Sequence, residues 1–336
     1  MNAAEPFTDR DSTACTGTEG ASAMLTGDAV ARLEFLTVLR VSGADALDYL
    51  QGQLTADVGE VGTSISRSAA WCSARGRVLA LFRLFADSAG GYRVVCERWF
   101  AAALLARLRM FVLRSDVRID DAGDELAVAG VAGVRALPDP VAAWAGTAGV
   151  DDAAMFEEAT ITRVPGRHRR FLVVGAHPCI GSIAHAPVAG PVRRTEASAW
   201  RLADICAGVP RIGADASDAF LPQMLNLDRL RAVSFEKGCY VGQEIVARAQ
   251  HLGRIKRRAY VGRATAAAGG DPILDVAGNE ARKVGDVVDV EPHPDGDSAV
   301  FAVLNTECAR SPALHVGRSD GAPVRVSSPD YMLHPD

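Results

Sequence analysis

Two glycines four residues apart, Gly238 and Gly242, frame the stretch Lys237-Gly238-Cys239-Tyr240-Val241-Gly242-Gln243-Glu244 and limit what the chain around them can become. Glycine admits backbone conformations and close approaches that a side chain blocks. Gln243 to Ala249 reads as a helix, so Cys239 is expected on a short loop just ahead of a helix N-terminus. A thiol there feels the positive end of the helix dipole and the charge of Lys237, both of which favour thiolate; Glu244 opposes them if its carboxylate points the same way. The competing reading is a small buried cysteine in a tight strand-to-helix turn, since free cysteine is most often buried and inert.

The rest of the chain supplies antiparallel pairings interspersed with helices. Residues 1–24 have no apolar periodicity and read as a disordered tail. Phe35 to Val41 reads as a strand. Asp45 to Leu54 reads as an amphipathic helix on Leu47, Leu50 and Leu54. Ser68 to Ala74, the Arg75-Gly76 turn and Val78 to Phe85 form a hairpin, followed by a strand over Tyr92 to Cys96. Trp99 to Leu113 is the second helix, with Phe100, Leu104, Leu105, Leu108 and Phe111 on one side. A second α+β unit spans Val117 to about Gly190, with strands at Leu126 to Val131 and Phe171 to Val174 after Arg167-His168-Arg169-Arg170. A helix starts at Thr195, with Thr195 and Ser198 in its capping region, and stops at Gly208-Val209-Pro210. Trp200 and Asp204 share one of its faces, where they either hold a flat heterocycle or serve as core residue and solvated carboxylate. After Ala259 short strands alternate with turns, as in a small antiparallel barrel or sandwich. This is an α+β pattern, not a doubly wound one.

Several function classes fall away. A formal charge of −5 argues against bulk nucleic acid as the main partner. The cluster Arg248, His251, Arg254, Lys256, Arg257 and Arg258 remains either a solvated face or a dock for a polyanion. No apolar run approaches the ~20 residues of a membrane span, and the acidic N-terminal stretch lacks a secretory h-region. Seven dispersed cysteines without CxxC pairs suit a reducing cytoplasm and form no ready metal or cluster site; His177-Pro178-Cys179 offers only two ligands. No GxGxxG or Walker loop supports a nucleotide.

The motif Lys237 to Glu244 resembles the KGC-aromatic-x-GQE signature of the YgfZ family of folate-binding proteins, in the superfamily of the glycine-cleavage aminomethyltransferase. The resemblance extends to Leu50-Gln51-Gly52-Gln53-Leu54-Thr55-Ala56-Asp57-Val58, the Arg75-Gly76-Arg77 hairpin, Ala207-Gly208-Val209-Pro210, Leu221-Pro222-Gln223-Met224 and Val233-Ser234-Phe235. It covers roughly Leu33 to Arg258. It implies a three-domain aminomethyltransferase-like α+β fold around a central folate-binding opening, with a C-terminal antiparallel β-barrel. The implied domains are 25–116 with 195–250 for folate, 117–194 as a second α+β unit, and 251–336 as the barrel.

The family's function implies tetrahydrofolate or a derivative as ligand, no stably bound metal or nucleotide, and support of iron–sulfur cluster assembly or repair. Its partners would be assembly proteins or cluster-dependent enzymes such as tRNA methylthiotransferases, met transiently and without a membrane; direct action on tRNA through the basic cluster is a third reading, which the net charge disfavours. By resemblance, Cys239 and Lys237 are the catalytic candidates. Trp200, Asp204, Leu36, Tyr240, Gln243, Glu244 and Arg248 are the folate-contact candidates, with Gly238 and Gly242 as motif glycines. Two departures stand out. Aminomethyltransferase relatives carry an acidic pair after the hairpin glycine, whereas Gly76-Arg77-Val78-Leu79-Ala80 has none; this weighs against the alternative of folate-dependent aminomethyl transfer. The Glu that serves the pterin in relatives falls at Cys206, leaving Asp204 as its nearest substitute, and a family aromatic falls at Leu36 beside Phe35.

Overall fold

The computed structural model describes residues 17–27, 29–156, 159–185, 192–251, 254–278 and 280–333. In chain order, α1 (Gly17–Thr26) and β1 (Ala29–Arg32) precede β2 (Leu36–Ser42), α2 (Ala46–Gln53), β3 (Arg67–Cys72), β4 (Val78–Ala86), β5 (Tyr92–Glu97), α3 (Arg98–Met110) and β6 (Arg118–Asp121). Then come β7 (Leu126–Ala132), α4 (Val141–Thr147), β8 (Ala153–Phe156), β9 (Ala159–Val164), β10 (Arg170–Ala176), α5 (His177–His185) and β11 (Arg193–Thr195). The central helices α6 (Ala197–Ala207) and α7 (Gln243–His251) lead into β12 (Arg257–Ala264), β13 (Pro272–Asp275), β14 (Arg282–Pro292), β15 (Ser298–Asn305), β16 (Leu314–Val316), β17 (Val324–Ser327) and α8 (Asp330–Leu333).

Three sheets result. The first, β3-β4-β5-β2-β6, is antiparallel and holds α2 and α3 over a core of Leu39, Leu50, Leu54, Leu84 and Leu104. The middle sheet, β11-β1-β7-β10-β9-β8, is antiparallel except where β1 runs parallel to β11. The third, β16-β13-β14-β15-β12-β17, curls until its two edges meet at a bridge between His315 and Pro323. This is the barrel expected after Ala259. Helix α6 packs against α1 and β1 on one side and β12, β14 and β15 on the other, so it joins the middle sheet to the barrel.

The hairpin, α2, α3, α6 and α7 lie where the periodicity places them. Gly208 ends α6 in the left-handed region at φ 73°, with its N–H bonded to Ile205 O and that of Val209 bonded to Asp204 O. Several readings need correction. Within the supposed tail, Gly17–Thr26 is a helix that buries Ala23 and Met24, while residues 1–16 lie outside the described residues. Its Ala- and Gly-rich sequence shows no strong apolar stripe because it docks through small side chains, with Met24 and Leu25 as its large apolar contacts. Strand β1 falls inside 25–116 yet belongs to the middle sheet, and β6 falls inside 117–194 yet belongs to the first; the units interleave. Leu47 and Phe111 are exposed, although the periodicity places both on buried faces. Thr195 closes β11 instead of capping α6, whose N-cap is Glu196.

Candidate functional site

One helical turn apart on α6, Trp200 and Asp204 face the junction of the first and middle sheets. Trp200 is only 2% exposed. Its indole packs against Gly130 of β7, where any Cβ would enter the ring. On β10, Arg170 brings its guanidinium 4.6 Å from the Trp200 ring centroid and donates from Nη1 to Asp204 Oδ1 at 2.9 Å. Arg170 also donates to Pro165 O through Nε at 3.2 Å and Nη2 at 2.6 Å. Among the described residues Asp204 Oδ2 has no protein donor.

Beside this pair lies a cavity of about 130 Å³, with Phe35, Leu36, Trp200, Asp204, Glu97 and Arg211 in its lining. Arg211 Nε donates to Glu97 Oε1 at 2.9 Å, and its Nη1 stands 3.4 Å from Asp289 Oδ2 on the barrel. Arg211 and Arg201 hold their guanidinium carbons 4.9 and 5.2 Å from the Phe35 ring centroid. Burial raises the carboxyl pKa of Asp204, and the charge and hydrogen bond of Arg170 only partly oppose it. Glu97, Asp289 and Glu291 are raised for the same first reason, against the pull of Arg211 and Arg201. The cavity is thus apolar on its walls and lined at one end by desolvated carboxylates interleaved with arginines.

The glycine-framed stretch lies elsewhere. Lys237 Nζ donates to Gln51 O, Leu54 O and Ala56 O at 2.8, 2.7 and 2.8 Å, at the C-terminal end of α2. An ammonium has three protons, and all three are committed to main-chain carbonyls. Lys237 is therefore a strut that pins the turn to α2. Burial lowers its pKa to about 8, against a smaller opposing pull from Asp57. Its Nζ also stands 5.4 Å from the Tyr240 ring centroid. Tyr240 is buried, its hydroxyl lacks a partner among the described residues, and burial pushes its phenol pKa up.

Gly242 sits at φ 85° against the β3–β4 hairpin. A Cβ there would run into Ser73 O and come within 2.9 Å of Gly76 Cα. Gly76, at φ 67°, is in turn 3.0 Å by its Cβ position from Gly242 O. The two turns interlock through paired glycines. Gly238 differs: nothing lies within 4 Å of its Cβ position. Cys239 is exposed, as are Glu244 and Arg248, with exposed Val241 and Ile245 beside them. Gln243 Nε2 reaches Gly238 O at 3.5 Å.

Of the residues singled out from sequence, Leu36, Trp200 and Asp204 meet at the cavity. Lys237, Cys239, Tyr240, Gln243, Glu244 and Arg248 do not line it. Burial of Tyr240 and the outward position of Glu244 and Arg248 are the physical reasons. Sequence reasoning missed Arg170, Glu97 and Arg211. The basic cluster is divided: Arg258 pairs with both Asp228 oxygens at 2.8 Å and Arg257 with Asp286 at 2.6 Å, while Arg248, Arg254 and Lys256 stay exposed. His177 is engaged at Nδ1 by Arg32 at 2.9 Å and at Nε2 by Gly123 O at 3.2 Å. Among the described residues no three His, Cys, Asp or Glu side chains are grouped to hold a metal, and no helix is long and apolar enough to cross a membrane.

No family model matches the sequence. Over 300 residues it is 32% identical to the tRNA-modifying protein YgfZ of Klebsiella pneumoniae (strain 342), covering 87% of this chain and 90% of the relative. Over 309 residues it is 33% identical to the tRNA-modifying protein YgfZ of Sodalis glossinidius (strain morsitans), covering 90% and 92%. The fold is similar to that of the glycine cleavage system aminomethyltransferase T from Bartonella henselae, with a TM-score of 0.73 and 16% identity over 94% of this chain and 89% of that one.

Proposed function

The chain belongs to the YgfZ family, and on that premise we propose that it binds tetrahydrofolate or a derivative and supports iron–sulfur cluster assembly or repair in the cytoplasm, and through it tRNA modification. The observation that carries this reading is the meeting of Leu36, Trp200 and Asp204 at one cavity where the sheets join. A pterin is a flat ring with a row of N–H donors along one edge. Asp204 Oδ2 accepts from such donors, Oδ1 being held by Arg170. Phe35, Leu36 and the wall of Trp200 flank the ring. When bound, the folate supplies one-carbon and reduced-pterin chemistry. The chain's own residues bind it, orient it and exclude water.

Cys239, exposed and away from the cavity, is the group that meets a cluster or a cluster-dependent enzyme in passing contact. One thiol does not build a four-thiolate site, so the cluster is cargo. The net charge of −5 and the pairing of Arg257 and Arg258 favour protein partners over direct tRNA contact.

The test is calorimetric titration with tetrahydrofolate, with tryptophan emission followed in parallel. Saturable binding at one site is expected, weakened in Asp204→Asn and unchanged in Cys239→Ala. Absence of heat and of quenching in the unsubstituted protein would overturn the folate reading. Turnover of an aminomethylated lipoyl carrier would instead establish aminomethyl transfer.

A further inference from the structure

A larger cleft lies on the other side of the Arg170–Asp204 pair. Its volume is about 500 Å³, within the roughly 300–1,000 Å³ of small-molecule sites. The middle sheet and the barrel contribute to it, with two helices between them: the β9–β10 loop, α1 and α6, and the strands β12 and β17. The loop supplies Arg167 and His168; the end of β17 supplies Ser327 and Ser328. None of these four side chains has a hydrogen bond or ion pair among the described residues. A guanidinium, an imidazole and two hydroxyls, all unspent and lining one cleft, are a donor set for a tetrahedral oxyanion.

Two further features narrow the ligand. The carboxylate of Asp330 lines the same cleft and repels a bare dianion, while it accepts from a hydroxyl carried beside the phosphate. Met24, Leu25 and Val261 give an apolar wall for the carbon skeleton. We propose that this cleft is a second binding site, for a small phosphomonoester that bears hydroxyl groups.

The site is built into the fold by Arg170, whose side chain is 3% exposed and which lines the cleft while bonding Asp204 of the first cavity. Gly166 leaves room for it: a Cβ there would stand 2.7 Å from Arg170 Nε. The proposal goes beyond the folate reading and does not depend on it.

The experiment is calorimetric titration of the full-length protein with glycerol 3-phosphate, inorganic phosphate and sulfate at fixed ionic strength, repeated on Arg167→Ala, Ser328→Ala and Asp330→Asn. Arg167 is exposed and Ser328 half-buried without side-chain bonds, so unaltered melting curves are expected and verify folding. Saturable binding of glycerol 3-phosphate is expected, tighter than that of inorganic phosphate. Arg167→Ala should weaken it about tenfold or more and Ser328→Ala severalfold, as loss of charge-assisted and neutral hydrogen bonds predicts. Asp330→Asn should erase the preference over inorganic phosphate. No saturable binding, or binding that Arg167→Ala leaves unchanged, would overturn the proposal. Equal binding of all three anions, indifferent to every variant, would identify an adventitious ion only and overturn it as well.

Discussion

Alanine at the two motif glycines should separate them sharply, because their surroundings differ. At Gly242 the backbone lies at φ 85°, which costs an L-residue about 1–2 kcal/mol. The added Cβ meets Ser73 O and, at 2.9 Å, both Gly76 Cα and Gly76 N. These are main-chain atoms of a tight turn, so no side chain can swing away, and relief requires moving the hairpin. Overpacking of that kind adds about 1–3 kcal/mol. The sum is about 2–5 kcal/mol. For a 336-residue chain the unfolding entropy is about 0.7 kcal/mol/K at 2.1 cal/mol/K per residue, so the melting temperature should fall by about 3–7 °C if the chain melts as one unit. Gly238→Ala meets nothing within 4 Å and should change stability by less than about 0.5 kcal/mol. Circular dichroism melts of both variants, with Gly76→Ala as the reciprocal partner, decide the matter. Equal melting temperatures for Gly242→Ala and Gly238→Ala would refute the interlocked-turn argument.

Three other outcomes follow from the same geometry. Lys237→Met strips donors from three carbonyls and should cost about 1–3 kcal/mol in denaturant unfolding; an unchanged midpoint would show that the ammonium is not a strut. Cys239→Ser should leave stability within about 0.5 kcal/mol while lowering the amplitude of rapid reaction of the native protein with a thiol reagent, most clearly in a Cys206→Ser background, because Cys206 is the other exposed cysteine among the described residues and Cys72 and Cys96 are buried with thiols pushed up to about 12. A variant that keeps the full rapid phase would contradict the exposure of Cys239. Arg170→Met strands the Asp204 carboxylate and should cost about 3–5 kcal/mol at neutral pH. Burial already holds that carboxyl above its unfolded value, so the folded state keeps its proton longer and stability is lost as pH rises through the window between the two. The deficit of Arg170→Met should therefore shrink on acidification, and a pH-independent deficit would count against a charge-based origin.

Local features were legible because local physics produces them. The Gly-then-Pro stop of α6, the Arg75-Gly76 turn and the apolar spacing of α2 and α3 each act over a few residues, where sequence periodicity and turn chemistry speak directly. Trp200 and Asp204 were raised as a pair by their spacing on one helix face and assigned by resemblance; Leu36 was found through resemblance alone. What stayed hidden was long-range pairing. Arg170 reaches Asp204 across 34 positions and Lys237 reaches Leu54 across 183, and no periodic signal encodes such contacts. Hydropathy also misplaces them: Arg170 is 2% exposed and Asp204 8%, although both types ordinarily face solvent. The signature misled in another way. Residues close to Cys239 in sequence, such as Glu244 and Arg248, were grouped with the ligand cavity, yet a turn-to-helix segment on the surface can only spread them outward.

The two places are held by different forces, and that difference explains their different legibility. The turn carrying Cys239 is set by steric fit between Gly76 and Gly242, with Lys237 as a pin. A glycine requirement leaves a mark in the sequence. The cavity is set by desolvated charge: Asp204, Glu97, Asp289 and Glu291 against Arg170, Arg211 and Arg201. Arg83 adds a fourth guanidinium whose charge reaches Asp204, so burial is the first cause of the raised carboxyl pKa values, with repulsion between neighbouring carboxylates adding to it at Glu97, Asp289 and Glu291. Such a balance is invisible in a linear charge count, because its members come from all three sheets. It also makes the cavity respond to pH through its carboxylates, while the interlocked turns answer to volume at Gly76 and Gly242 and to pH only through the Lys237 pin.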